Sequence, residues 1–107
     1  MEIAKYKQGY AVYTDNLVRD EEFKELSITA KLLYLDMKRV SSRTPIDEPF
    51  EYTNTYASQV LNISKHTYFT ARDKLIEKGF IKEIYNGKRM YTSNKYIICK
   101  RKIKRSV

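Results

Sequence analysis

Residues 64–81 read SKHTYFTARDKLIEKGFI. Ser64 is a good helix N-cap, because its hydroxyl oxygen accepts a backbone N–H of the first turn. Apolar residues then fall at Tyr68, Ala71 and Leu75, at i, i+3 and i+7, with Ile76 beside them. That is the period of one buried helix face. Gly79 stands where the C′ residue belongs, in the left-handed conformation that a Cβ disfavours. Phe80-Ile81-Lys82-Glu83-Ile84-Tyr85 follows as a β-prone run. The segment predicts a helix over 65–78 that stops on glycine and passes directly into a strand.

Upstream, Thr53 caps a shorter predicted helix, Asn54 to Leu61, with Ala57, Val60 and Leu61 inward and Asn62-Ile63 ending it after two turns. Two helices joined by so short a turn form a helix-turn-helix, with Ile63 as the apolar residue that locks the pair. Downstream, Asn86-Gly87 is a hairpin signal, because both residues tolerate positive φ in a type I′ turn. Lys88-Arg89-Met90-Tyr91 begins the return strand, and Tyr96-Ile97-Ile98-Cys99 is a further β run. The ending Leu75, Gly79, Phe80, Ile81 resembles the winged-helix pattern, and a helix-turn-helix followed at once by a basic hairpin is the winged-helix order. The fold class expected is α+β: a winged helix-turn-helix with a helical core and a C-terminal β-hairpin wing.

Ser27 caps a further helix, Ile28 to Arg39, in which Ile28, Leu32 and Leu35 form the core stripe and Leu33 and Met37 widen it. Lys38 and Arg39 suit the negative end of its dipole. Tyr10-Ala11-Val12-Tyr13 reads as an edge strand, and residues 1–9 as loose. The acidic stretch from Asp15 to Lys24 offers Leu17, Val18 and Phe23 as buried anchors. Pro45 and Pro49 keep residues 41–49 out of a helix, and Phe50-Glu51-Tyr52 alternates like a short strand. Residues 1–99 are expected to form one domain, and 100–107 a basic tail disordered without a partner.

The chain has 107 residues, of which 42% are hydrophobic and 32% charged, enough for one small core. No run of 18 apolar residues exists, so no transmembrane helix and no membrane partner is expected, and the first residues lack the apolar run of a signal peptide. Cys99 is the single cysteine, which fits a reducing, cytoplasmic setting. The net charge of +8 is uneven: residues 1–63 carry 8 Lys/Arg and 10 Asp/Glu, whereas residues 64–107 carry 13 and 3. A basic C-terminal half without an apolar anchor points to a polyanion, and nucleic acid is the expected partner.

Composition excludes much chemistry. His66 and Cys99 are the only histidine and cysteine, too few for a zinc site, and no Gly-rich phosphate loop is present. No enzyme, metal or cofactor is expected. Asp47, Glu48 and Glu51 as a magnesium nuclease site is the weaker alternative to an acidic solvated loop. The candidate DNA-binding residues fall in three groups. On the long helix they are Lys65, His66, Phe69, Thr70, Arg72 and Lys74. Lys65 and Arg72 suit phosphate or guanine, Thr70 a base or the backbone, and Phe69 a thymine methyl or the core. His66 reads as an ordinary surface imidazole, with a place near phosphate as the alternative. Arg72 sits where an aliphatic residue is common, so its stem is expected to be buried and its head to be free. In and beside the hairpin they are Lys82, Lys88, Arg89 and Lys95, suited to backbone or minor groove; in the tail, Lys100, Arg101 and Lys102.

A closer resemblance spans residues 26 to 99. Ala30-Lys31-Leu32-Leu33-Tyr34-Leu35-Asp36-Met37-Lys38-Arg39-Val40-Ser41 looks like the first helix and loop of plasmid replication-initiator N-terminal domains. Ile46-Asp47-Glu48, leading into Tyr52-Thr53, looks like the acidic loop that follows it. Thr92-Ser93-Asn94-x-Tyr96 is similar to the last wing strand of those domains and of phage replisome organisers. The resemblance implies a winged helix, often dimeric, that binds repeated double-stranded DNA sites on a mobile element. The expectation is a homodimer that marks an origin or operator. It would recruit or exclude a replication, transfer or transcription protein, as an initiator, a conjugative relaxosome accessory or a repressor. A protein-interaction adaptor, docking through the aromatic surface, is the alternative of another class.

Overall fold

The computed structural model describes residues 8–84 and 94–100. Two single-turn helices come first, α1 (Asp15–Val18) and α2 (Glu21–Lys24). Thr14 caps the first, and the buried Asp20 caps the second by accepting the Glu22 and Phe23 amides at 3.0 and 3.4 Å. α3 (Ile28–Ser41) begins on Ser27, whose hydroxyl accepts the Ala30 amide at 3.1 Å. After a loop comes β1 (Phe50–Glu51), then α4 (Asn54–Leu61) capped by Thr53. α4 ends on Asn62 in the left-handed region, φ 57°. Three residues on, α5 (Lys65–Glu77) starts under the Ser64 cap, and Ile63 between the two packs against the core.

The end of α5 is the one the sequence predicts. Gly79 has φ +80°, its amide donates to the Ile76 carbonyl at 3.1 Å, and the Phe80 amide donates to the Leu75 carbonyl at 2.9 Å. This pair of bonds is a Schellman cap. It aims Phe80 into the core and starts β2 (Ile81–Ile84), which pairs antiparallel with β3 (Lys95–Ile98). β3 also pairs antiparallel with β1, Phe50 facing Tyr96, so the sheet order is β1-β3-β2. Among the described residues the fold is α+β, five helices against a small three-stranded antiparallel sheet, in a winged-helix-like arrangement.

The core gathers one side of each element. Leu33, Tyr34 and Met37 of α3, Tyr68 and Leu75 of α5, Phe80, Ile81 and Tyr96 are buried together with Phe23, Phe50 and Tyr52. Tyr34 meets Phe80 edge-on at 5.1 Å.

Several expectations are corrected here. The buried face of α3 is Ala30, Leu33, Tyr34 and Met37, while Ile28 and Leu32 are 72% and 50% exposed. The helix has apolar residues over a wide arc, and its packing on α5 selects the other edge of that arc. Val18 and Val60 also point outward. Residues 10–13 form no strand but run as an irregular arm along α3, with the Tyr10 amide on the Ser42 hydroxyl and Lys38 Nζ on the Val12 carbonyl. The strand that pairs with β2 is Lys95–Ile98, with Ile84 opposite Lys95. Asn86-Gly87, the proposed return strand 88–91, residues 1–7 and residues 101–107 lie outside the described residues.

Candidate nucleic-acid interface

α5 buries Tyr68, Ala71 and Leu75, so its opposite side is set by geometry. Residues 66, 70, 73 and 77 follow i, i+4, i+7 and i+11 and form the outermost line of the helix. His66, Thr70, Asp73 and Glu77 are all exposed. Lys65 and Lys74 flank this line on its two sides, both exposed, and Lys74 pairs with Glu77 at 3.2 Å. His66, Thr67, Thr70, Lys74 and Lys78 also form one wall of a groove of about 500 Å³, whose other wall includes Glu22, Glu25 and Ser27.

The structure thus leaves His66 and Thr70 on the outermost line of α5 with Lys65 and Lys74 accessible on opposite sides of it, and it does not leave Arg72 and Phe69 there. Phe69 is half-buried, edge-on to Tyr68 at 5.0 Å. The Arg72 side chain is only 13% exposed. Contrary to expectation its head is engaged: it donates to the Tyr96 hydroxyl at 3.3 Å and to Asp73 at 2.8 and 3.1 Å. It also lies 3.7 Å from the buried Glu83 carboxylate and 4.8 Å over the Phe69 ring. Burial pulls the guanidinium pKa down, but the hydrogen bonds with Asp73 and Tyr96 outweigh it and hold the group above its ordinary range. The partners that claim Arg72 lie on β2, on β3 and next to it on α5, which no helical periodicity reveals.

A second polar cluster stands behind α5. Tyr52 donates to Asp36 at 2.6 Å, Arg39 donates to Asp36 at 2.8 Å and to the Tyr56 hydroxyl at 2.6 Å, and the Tyr52 ring stacks on Tyr68. Burial, then the bond to Asp36, pushes the Tyr52 phenol above its ordinary pKa; burial, then the contact with Tyr96, does the same to Tyr68. This cluster fixes α3, α4 and α5 relative to one another.

The remaining candidates are dispersed. Lys82 and Lys95 are exposed, and by the alternation of strands they share the sheet face opposite to that of Ile81 and Tyr96. Lys100 borders a groove with Tyr10, Ser42 and Asp47, beyond the other end of β3. Lys88, Arg89, Arg101 and Lys102 lie outside the described residues. The described residues carry 13 Lys/Arg and 12 Asp/Glu, so nearly all of the net +8 resides in segments 1–7, 85–93 and 101–107. Sequence reasoning places Asp73 outside the core stripe of α5 but gives it no DNA contact, and it does not single out Glu77. Their spacing from His66 and Thr70 was the available signal.

Among the described residues no group of three or more His, Cys, Asp or Glu is placed to hold a metal ion. None of the described helices is long and apolar enough to cross a membrane.

No known protein family matches this chain, and no curated protein does. Among solved structures it is similar to one described as the N-terminal domain of a DNA binding protein, at 18% sequence identity and a TM-score of 0.64. The likeness covers 94% of this chain and 78% of that one, and it is a likeness of fold.

Proposed function

We propose that this protein binds double-stranded DNA at specific sites, with α5 entering the major groove and the β2–β3 side lying along the backbone. The observation that carries the reading is the capped second helix of a helix-turn-helix with one whole side open to solvent. It sits in a fold shared, over 94% of the chain, with a domain named for DNA binding. Lys65, His66, Thr70 and Lys74 face the duplex in this reading. Phosphate contacts come from Lys82, Lys95 and Lys100 and from the basic segments that hold Lys88, Arg89, Arg101 and Lys102.

The protein acts as a homodimer on paired half-sites, marking an origin or operator of a plasmid or phage. It recruits or excludes larger machinery in replication or conjugative transfer, or it represses a promoter. The test is a gel-shift titration over salt concentration. With on the order of 5 phosphate contacts per protomer, log affinity falls with log salt at a slope of about −4 to −5. A flat response refutes the reading. A protein-docking role is the second reading, favoured by Asp73 and Glu77 at the centre of the α5 face, and it predicts that flat response.

A further inference from the structure

An acid on a helix that approaches DNA is costly unless it does something there, because it faces a field of phosphates. Asp73 occupies the outermost line of α5 with its side chain 64% exposed. It is not a loose surface acid. Arg72 Nε and Nη2 both donate to Asp73 Oδ1, at 3.1 and 2.8 Å. The same guanidinium is anchored on the far side by the Tyr96 hydroxyl and Glu83 and covered by the Phe69 ring. The sheet therefore holds Arg72, and Arg72 holds one carboxylate oxygen. Oδ2 takes no part in those two bonds and sits on the exposed side chain. A hydrogen-bonding group fixed before binding loses little side-chain entropy on contact, which is what precise recognition requires.

We infer that Asp73, held in place by Arg72, is a specificity-determining residue of α5 that accepts a hydrogen bond from the exocyclic amino group of a cytosine in the major groove. A carboxylate only accepts. Of the base edges in that groove, cytosine offers an N4 donor with no acceptor of its own, whereas adenine sets its N7 acceptor beside N6 and would repel the second oxygen. Arg72 is a positioning residue: it offsets the charge of Asp73 and touches no phosphate. The inference rests on the DNA-binding reading.

The experiment is enrichment of duplexes from a random-sequence pool by the full-length protein and by Asp73→Ala, Asp73→Asn and Arg72→Met variants. Salt slopes are measured on a random-sequence duplex. The wild type is expected to select cytosine at one position. Asp73→Ala should lose that preference, about tenfold in discrimination, and keep the preferences at other positions. Asp73→Asn should move it toward adenine, whose N6 and N7 an amide can engage. Arg72→Met should relax the same position with an unchanged salt slope; a slope weaker by about 1 would make Arg72 a phosphate ligand and overturn the assignment. Should Arg72→Met fail to fold, the exposed Asp73 variants still decide. An enriched site identical in Asp73→Ala and wild type, with affinity raised for every duplex alike, would make Asp73 a repulsive surface charge and overturn the proposal. If the wild type enriches no site and binds the random duplex without salt dependence, the DNA-binding reading itself fails.

Discussion

Tyr52→Phe removes one oxygen atom and little else. The Tyr52 ring is 1% exposed, stacked on Tyr68 at 6.1 Å and edge-on to Tyr56 at 5.2 Å, and phenylalanine keeps both contacts. What is lost is the 2.6 Å bond from the hydroxyl to Asp36 Oδ2. Asp36 is 9% exposed, and Arg39 binds its other oxygen, Oδ1, at 2.8 Å. A hydrogen bond to a charged group contributes about 1.5–3 kcal/mol, and a carboxylate oxygen left buried without this donor places the cost in the upper half of that range. The expected loss is thus about 2–3 kcal/mol. For a domain of this size that is a fall in Tm of roughly 10–15 °C. Urea unfolding followed by circular dichroism should show a lower midpoint with an unchanged slope. The double variant Tyr52→Phe/Asp36→Asn should cost less than the two single changes added, because both remove the same bond. A Tyr52→Phe protein within about 0.5 kcal/mol of wild type, a surface-like effect, would show that the hydroxyl is not a donor to a buried charge and would sink the account of this cluster.

Leu75→Ala, at a position 0% exposed between α5 and the sheet, should cost roughly 2–5 kcal/mol by urea unfolding. Leu32→Ser should change stability by only about 0.5 kcal/mol, whereas Leu33→Ala should cost about 2–5; the reverse order would mean the core lies on the other edge of α3. At Gly79, φ +80°, an added Cβ would meet nothing within 4 Å, so Gly79→Ala should cost only the backbone term of about 1 kcal/mol and Gly79→Asn less. A higher Tm for Gly79→Ala would contradict the Schellman cap. The phenols of Tyr52 and Tyr68 hold their protons more tightly folded than unfolded, so their contribution is intact below pH 10 and is lost as pH rises beyond it. Tyrosinate absorbance should therefore show a late fraction that ionises together with the loss of helical signal.

What was legible in the sequence was local. Ser27, Thr53 and Ser64 announce helix starts because a cap needs only its own first turn, and each accepts the amide three residues on. The α5 stripe and its Gly79 stop are equally self-contained. Choices between alternatives needed the partner element. Ile28 and Leu32 lost to Ala30 and Tyr34 because α3 packs against α5 and Phe80 through its other edge. Residues 10–13 have strand composition, but in the fold they lie against α3 and pair with no strand. Arg72 carries a charge typical of a DNA contact, yet Tyr96 lies 24 residues ahead and no spacing rule connects them. The bases of the site were visible as types; which were accessible was decided by tertiary contacts.

The order β1-β3-β2 places the last of the described strands in the middle of the sheet. Among the described strands, neither β1 nor β2 has a mate during synthesis until β3 leaves the ribosome. Glu51 waits for Lys95, which at ~5–20 residues per second is roughly 2–10 s of translation. Until then Tyr68 and Arg72 lack Tyr96, and the apolar side of α5 has no sheet to close on. A nascent chain cut short before residue 95 contains all of the described helices and lacks both of the described strand pairings, so quality control meets a species with an open core. The described core closes only once its last described strand is available.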